Sequence, residues 1–214
     1  MSGEMKYNYI AIEGNIGAGK TSLAKMIAAD YNARLILERF ADNSFLPKFY
    51  KDPDKYAFPL EMSFLADRYQ QLKDELSRSD MFRSFIIADY FIDKSLIFAR
   101  KTLQNDEYAL YSRLFGIINS ALPKPDLIIY LYNNVRQLKQ NILNRGRDYE
   151  REIEFSYLEK IQSGYLEYFK TMKGFRIIIV ETVNLDFVGI ESDYAKLKNL
   201  LNSDYNEGIH TITF

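Results

Sequence analysis

Apolar residues in this chain fall into short β-prone segments that are separated by helical periodicities. Five such segments predict strands, at residues 7–12, 34–37, 85–88, 127–131 and 176–180. The last contains a continuous apolar run from Ile177 to Val180, which is typical of a parallel strand buried on both faces.

Helical patterns lie between these segments. The longest is an amphipathic stripe with alternating steps of four and three residues, formed by Phe58, Met62, Leu65, Tyr69, Leu72 and Leu76. A second helical face is formed by Ile153, Tyr157, Ile161, Tyr165 and Tyr168. Residues 21–30, 135–143 and 194–201 are also expected to form helices.

The alternation of strands and helices predicts an α/β fold with three layers, α/β/α, around a five-stranded parallel sheet. The chain shows no internal repeat and no linker, so residues 1–214 are expected to form a single domain. Residues 203–214 lack helical periodicity. This tail is expected to be either a flexible end or a short extra strand.

Composition narrows the class of protein. The net charge of −1 gives no electrostatic reason to expect binding to nucleic acid or to an anionic membrane. There is no cysteine, which excludes disulfides and cysteine-ligated zinc. No apolar run approaches the length of about 20 residues that spans a bilayer, and the N-terminus lacks a signal-peptide pattern. We therefore expect a cytoplasmic protein.

A phosphate-binding loop follows the first predicted strand. The pattern G-x-x-x-x-G-K-[ST] is met by Gly14, Asn15, Ile16, Gly17, Ala18, Gly19, Lys20 and Thr21. Backbone N–H groups at the start of a helix form an anion site, Lys20 is expected to reach the β- and γ-phosphates, and the Thr21 hydroxyl is expected to bind Mg²⁺. The loop predicts ATP as a ligand, and GTPases, ATPases and small-molecule kinases all use it.

Glu38 lies at the end of the second predicted strand, where an open α/β sheet faces its ligand crevice. A carboxylate beside the phosphate loop can accept a proton from an attacking hydroxyl. The alternative is a solvated glutamate at a strand end.

Several segments in order, from Tyr7 to about Leu201, resemble the deoxynucleoside kinase family. They are Ile12 to Thr21, Glu38 to Leu46, Phe49-Tyr50, Pro53, Phe58, Glu61, Arg68, Ile97 to Ala99, Arg145-Gly146-Arg147, Glu150 and Asp186-Phe187. The resemblance implies a P-loop kinase fold with an arginine-rich lid at about residues 145–154. It also implies transfer of phosphate from ATP, with Mg²⁺, to the 5′-hydroxyl of a deoxynucleoside by a homodimer.

The resemblance assigns roles to matching residues. It implies that Glu38 is the base, that Tyr50 and Glu150 hold the sugar 3′-hydroxyl, and that Asp186 and Phe187 contact the donor base. It implies that Arg68 faces the acceptor base, that Leu46 and Phe98 pack on the nucleoside, and that Asp89 holds Mg²⁺. Arg145, Arg147 and Arg151 resemble lid arginines, although salt pairing with Glu150, Glu152 and Glu154 would also explain them.

Glu61 stands where the family usually has a glutamine that pairs with the acceptor base. An ionised carboxylate offers acceptors only, so it favours bases rich in N–H donors, namely adenine, guanine and cytosine over thymine. Protonation of Glu61 in a dry pocket would weaken this inference. A salt bridge to Arg68, two helical turns away, is the alternative.

Tyr90 stands where the family has an arginine that contacts the phosphoryl acceptor region. Lys94 and Arg39 are candidates for the missing positive charge by proximity. Asp93 and Ser95 are both candidates for a further acid position that reads the base in some members.

The sequence therefore favours a deoxynucleoside 5′-kinase for nucleotide salvage, with a preference for purine deoxynucleosides. One alternative is a nucleoside monophosphate kinase that resembles thymidylate kinase. Another is a nucleotide-binding regulatory subunit with impaired catalysis.

Overall fold

The computed structural model describes residues 5–39, 43–77 and 83–214. In these ranges six strands are found, β1 (Tyr9–Gly14), β2 (Arg34–Ile36), β3 (Ile86–Ala88), β4 (Leu127–Tyr132), β5 (Arg176–Glu181) and β6 (Gly208–Ile212). The helices are α1 (Lys20–Tyr31), α2 (Leu46–Lys51), α3 (Pro53–Leu76), α4 (Lys94–Thr102), α5 (Asn105–Asn119), α6 (Val135–Arg145), α7 (Phe155–Phe169) and α8 (Glu191–Asn199). Short 3-10 turns occupy Asp148–Glu150 and Leu200–Asn202.

The strands form one sheet in the order β2-β3-β1-β4-β5-β6, and every neighbouring pair is parallel. The prediction of an α/β fold with a parallel sheet is confirmed, but the prediction of five strands is wrong. The tail supplies the sixth strand, which pairs with β5 from Arg176 opposite Gly208 to Val180 opposite Ile212. β6 is an edge strand with mostly exposed residues, so it lacks the apolar run that marks a buried strand.

Alternate residues of the central strand pack against opposite layers of helices. Ile10 and Ile12 belong to a core that includes residues of α1, α6 and α8, whereas Ala11 packs with residues of α4 and α7. Helices α3 and α5 pack together in a neighbouring core, which includes Tyr9 and Ala88, and α2 packs on α3. This arrangement confirms the three-layer prediction and brings the carboxyl ends of β1, β2 and β3 together at one edge of the sheet.

The buried face of α3 differs from the predicted stripe. Leu65 and Leu72 of that stripe are buried, but the same side of the helix also buries the polar residues Glu61, Arg68 and Gln71. Buried polar side chains on a helix require partners from neighbouring elements. These buried polar residues therefore indicate that this part of α3 contributes to a functional site. No helix in the described ranges is both long enough and apolar enough to cross a membrane.

The segment that leads into β6 is tied to the start of the chain by Tyr7. The buried Tyr7 hydroxyl donates to the Ser203 carbonyl at 2.9 Å and accepts from the Tyr205 amide at 3.2 Å. We expect Tyr7→Phe to lower the free energy of unfolding by about 1 kcal/mol, because two backbone groups lose their partner. Urea denaturation measures this loss, and hydrogen exchange should show faster exchange of the β6 amides.

Tyr108→Phe is the matched control, because the Tyr108 hydroxyl makes no hydrogen bond with any residue that the structure describes. It should leave both measurements unchanged. Equal stability of the wild type and the Tyr7→Phe variant would contradict the assignment of this tie.

Candidate active site

The phosphate loop runs from the end of β1 into α1. Gly19 has a left-handed φ of 89°, and a Cβ at this position would lie 2.6 Å from Cζ of Phe187. A Cβ at Gly17 would lie 2.6 Å from the Leu138 carbonyl oxygen. Both glycines are therefore required by close packing as well as by backbone conformation. The first N–H groups of α1 face the anion site that such a loop forms.

Lys20 lies over the loop and contacts its backbone. Its ammonium group donates to the carbonyl oxygens of Gly14 at 3.0 Å and Asn15 at 2.9 Å. Burial, followed by the nearby charge of Lys94, lowers the pKa of Lys20 to about 8. Two cations that repel each other at a phosphate-binding loop are stabilised when an anion binds between them.

Asp89 follows β3 and joins the loop to the end of β2. Its Oδ2 accepts from the Thr21 hydroxyl at 2.5 Å, and its Oδ1 accepts from the Glu38 amide at 2.7 Å. Hydroxyl and carboxylate oxygens beside a phosphate site are the ligand types that Mg²⁺ prefers. The donor chemistry of Thr21 and Asp89 thus fits this ion.

The Glu38 carboxylate is buried between two cations. Oε1 accepts from Arg68 Nε at 2.8 Å and Nη2 at 2.7 Å, and Oε2 accepts from Lys94 Nζ at 2.5 Å. Burial alone would raise the pKa of Glu38, but Lys94 and Arg68 outweigh that effect and lower it to about 2. Glu38 is therefore ionised and fixed in orientation, in contrast to the alternative of a solvated strand end.

Arg68 forms a buried ion pair with Glu38. Its Nη1 donates to the Ser95 hydroxyl at 2.8 Å, and its guanidinium carbon lies 4.7 Å from the centroid of the Phe64 ring. The geometry makes Arg68 an orienting partner of Glu38, and its contact with an acceptor base stays a prediction. Of the two candidates for the further acid position, Ser95 contacts Arg68, whereas Asp93 accepts from the Tyr168 hydroxyl at 2.6 Å on α7.

Aromatic residues cluster where the sequence predicts the acceptor side of the site. Tyr50 on α2 stacks on Tyr149 with a centroid distance of 6.3 Å and meets the edge of Tyr157 at 6.4 Å. Burial and then the charge of Glu150 raise the pKa of Tyr50 well above its usual value. The phenol therefore stays protonated near the Glu150 carboxylate. The joint contact of these two groups with a sugar hydroxyl stays a prediction.

The two predicted packing residues are both buried. Leu46 lies in a core with residues of α2 and α3, and Phe98 lies on α4 with its ring 5.6 Å from the Lys94 ammonium. Contact of either side chain with a nucleoside stays a prediction.

Glu61 is buried on α3, with 2% of its surface exposed. Oε1 accepts from the Thr102 hydroxyl at 3.0 Å, whereas Oε2 has no hydrogen-bond partner among the described residues. Arg68 pairs with Glu38 in place of the salt bridge to Glu61 that the sequence left open. Burial raises the pKa of Glu61 to about 7.

The lid arginines line the same cleft as the phosphate loop. Arg145 Nη2 donates to Glu150 Oε2 at 2.5 Å, and Arg147 Nη1 donates to Glu150 Oε1 at 3.2 Å. Their side chains are 35% and 30% exposed, so salt pairing and a position over the cleft occur together. Arg151 pairs with Asp148 at 3.0 Å and is more exposed, at 65%.

The cleft has a volume of about 1290 Å³ and extends from the phosphate loop to the loop after β5. Phe187 of that loop packs on Gly19. Asp186 folds its own loop, because its Oδ1 accepts from the Gly189 amide at 2.9 Å and its amide donates to Asp193 Oδ2 at 3.0 Å. Both residues line the cleft, but their contact with a donor base stays a prediction, and the Asp186 carboxylate is already engaged by its own loop.

Tyr90 is turned away from the cleft. It is fully buried in the core of α3 and α5, and its hydroxyl donates to Gln71 Oε1 at 3.0 Å. The missing arginine is therefore not replaced at its own position. Of the two candidate cations, Lys94 is buried, pairs with Glu38 and lies close to Lys20, whereas Arg39 is exposed.

Sequence reasoning missed Thr102 and Asn141. Thr102 is the partner of Glu61, and Asn141 on α6 donates to the Gly17 carbonyl at 2.9 Å. Lys94, Phe98 and Thr102 recur every four residues, a helical spacing that could have identified Thr102. No sequence signal connects Asn141 with the loop.

Known proteins resemble this chain in family, in sequence and in overall structure. The deoxynucleoside kinase family model matches residues 10–204. Deoxyguanosine kinase of Bacillus subtilis is 38% identical over 193 residues, which cover 88% of this chain and 93% of that protein. Deoxyadenosine kinase of Dictyostelium discoideum is 31% identical over 92% of this chain and 79% of that protein. The structure of deoxyadenosine kinase from M. mycoides with bound dATP has a TM-score of 0.78 and 26% identity, and the match covers 91% of this chain and 100% of that chain.

Acid should destabilise the fold through Glu38. Its pKa is about 2 in the folded protein and 4.5 without the fold, so its stabilising effect is complete above the higher value. That effect is lost as the pH falls from about 5 toward 2. At neutral pH we expect Glu38→Gln to cost about 3–5 kcal/mol, because Arg68 and Lys94 lose their counter-charge. Urea denaturation at a series of pH values should show this difference shrinking in acid.

Glu167→Gln is the control, since Glu167 forms an exposed ion pair with Lys101. It should cost at most about 1 kcal/mol and retain the wild-type pH dependence. A constant difference between the wild type and Glu38→Gln across the acid range would contradict this assignment.

Proposed function

The chain belongs to the deoxynucleoside kinase family, and we propose that it transfers phosphate from ATP to the 5′-hydroxyl of a purine deoxynucleoside for nucleotide salvage. The observation that carries the proposal is the carboxylate of Glu38, which Arg68 and Lys94 fix in place while Asp89 joins the Glu38 backbone amide to Thr21 of the phosphate loop. Glu38 also contacts Arg68, and the predicted acceptor side is lined by the aromatic wall of Tyr50, Tyr149 and Tyr157. A hydroxyl at Glu38 would face the γ-phosphate of a nucleotide held by the loop.

In this mechanism Glu38 accepts a hydrogen bond from the 5′-hydroxyl and aligns its oxygen with the γ-phosphate. A carboxylate with so low a pKa is a weak base toward a free alcohol. Phosphoryl transfer passes through a loose transition state in which positioning and charge dominate, so the proton moves to Glu38 late, once the hydroxyl oxygen bonds to phosphorus.

Positive charge surrounds the path of the phosphoryl group. Lys20 and Lys94 lie close to the loop and to Glu38, and Arg145 and Arg147 line the same cleft. Such cations stabilise the charge on the equatorial oxygens during transfer. We propose that Thr21 and Asp89 hold Mg²⁺, which supplies further neutralisation of the phosphate oxygens when it is bound.

The competing functions are less well supported. A nucleoside monophosphate kinase needs a cation near the acceptor phosphate at position 90, and Tyr90 points into the core instead. An impaired regulatory subunit has no need of Lys20, Glu38 and Asp89 in one connected network. The homodimer and the cytoplasmic location stay predictions, and the exposed apolar residues Leu110 and Ile117 on α5 are compatible with an interface built from helices.

The proposed activity is tested by an assay with Mg²⁺–ATP and each of the four natural deoxynucleosides. We expect deoxyadenosine or deoxyguanosine to be the best substrate. Glu38→Gln should lower kcat by about 10²- to 10⁴-fold, because the positioned proton acceptor is lost, with little change in ATP affinity. Absence of turnover with all four substrates would refute the activity, and an unchanged kcat would remove Glu38 as the base.

The role of Lys94 is tested by comparing Lys94→Met with Arg39→Met. We expect Lys94→Met to lower kcat by about 10²- to 10³-fold, since it removes a buried charge beside the transferred group. Lys94→Arg should retain more activity than Lys94→Met. Arg39→Met should have little effect, because Arg39 is exposed, and a larger loss in this variant would reverse the assignment.

A further inference from the structure

The orphaned oxygen of Glu61 is the feature of the acceptor side that the proposed mechanism leaves without a role. Oε2 is buried and unpaired among the described residues, while Oε1 is held by Thr102. A buried polar atom without a partner is costly, so its persistence indicates a group that a ligand satisfies.

Glu61 lies at a suitable distance from the reacting end of the site. It precedes Arg68 by seven residues on α3, which corresponds to about 10 Å along the helix. Arg68 holds Glu38, where the 5′-hydroxyl is aligned. The separation is comparable with the length of a nucleoside from its 5′-hydroxyl to the far edge of its base.

Charged and titratable groups face Glu61 from every element around it. They are Arg68 on α3 itself, Glu38 after β2, Lys94 on α4, Tyr50 on α2, Tyr111 on α5 and Tyr157 on α7. Arg68 and Lys94 are already paired with Glu38, and burial keeps the three phenols protonated. Glu61 is therefore the member of this group that can change charge near neutral pH.

We propose that the protonation state of Glu61 selects the acceptor base, with the ionised form taking guanine and the protonated form taking adenine. This inference rests on the proposed kinase activity and deepens it. The amide of the glutamine that the family usually has at this position keeps one hydrogen-bonding pattern. A carboxyl group instead changes its hydrogen-bonding pattern when it gains or loses a proton.

The two forms complement the two purines. An ionised carboxylate presents two acceptors, which match the N1–H and 2-amino donors on the edge of guanine. A protonated carboxyl presents one acceptor and one donor, which match the 6-amino group and N1 of adenine. Because the Thr102 hydroxyl donates to Oε1, the proton of the neutral form lies on Oε2. The wrong pairing then sets the ionised Oε2 against N1 of adenine, an acceptor against an acceptor, or the protonated Oε2 against N1–H of guanine, a donor against a donor. Enzymes reject such substrates strongly. Burial raises the pKa of Glu61 to about 7, so both forms are populated near neutral pH.

The experiment measures kcat/KM for deoxyguanosine and deoxyadenosine with wild-type protein and Mg²⁺–ATP between about pH 6 and pH 8. Each value is proportional to the fraction of free enzyme in the competent form. Their ratio therefore follows the ratio of ionised to protonated Glu61 and should rise about tenfold per pH unit in favour of deoxyguanosine. Titration of Glu38, Lys20 or ATP affects both substrates equally and cancels.

Glu61→Gln is the control, because an amide of nearly the same shape cannot titrate in this range. Its ratio should be independent of pH. A flat ratio in the wild type, or a ratio that still rises in Glu61→Gln, would overturn the proposal while leaving the kinase activity intact. Absence of turnover with any deoxynucleoside would instead refute the proposed function itself.

A second measurement needs no variant. Calorimetric titration of the wild type at neutral pH, in buffers that differ in ionisation enthalpy, reports the protons exchanged on binding. We expect binding of deoxyadenosine to take up a fraction of a proton and binding of deoxyguanosine to release a fraction of a proton. The same proton change for both nucleosides would overturn the proposal.

Discussion

The burial of the Glu38 carboxylate between two cations is the constraint on which the site depends. Removing three charges from water is costly, and only close geometry and full hydrogen bonding offset that cost. Arg68 holds one oxygen, Lys94 holds the other, and Asp89 accepts from the backbone amide. The end of β2 is thereby fixed to α3, to α4 and to the segment after β3. None of these elements can shift without separating a buried charge from its partner.

A short turn joins the two halves of the site. In the 3-10 segment Asp148–Glu150, Tyr149 stacks on Tyr50 at the acceptor wall, while Glu150 holds Arg145 and Arg147 over the phosphate side. Adjacent residues of one turn therefore contact both the aromatic residues and the arginines of the cleft. The ion pairs with Glu150 orient both arginines. They offset the conformational entropy that long side chains, about a third exposed, lose when they are held in one place.

The fold and the position of the phosphate loop were largely predictable, because they are encoded locally. The phosphate loop is a contiguous motif, and continuous apolar runs in the sequence predict the buried parallel strands. β6 was harder to predict, since an edge strand with exposed residues has no such pattern. The contacts of Arg68 and Tyr90 depend on which way a side chain turns among distant helices. That choice follows from tertiary packing, which a single position in a sequence does not encode.

The packing of Phe187 on Gly19 has a consequence for the engineering of donor preference. Any side chain at position 19 would collide with the ring, and the ring has no room to approach further. The loop at residues 14–21 and the loop after β5 are thus one fitted surface contributed by two distant parts of the chain. Redesign of the donor pocket must treat these two loops as a single unit, and a library that varies either loop alone will consist mainly of misfitted pairs.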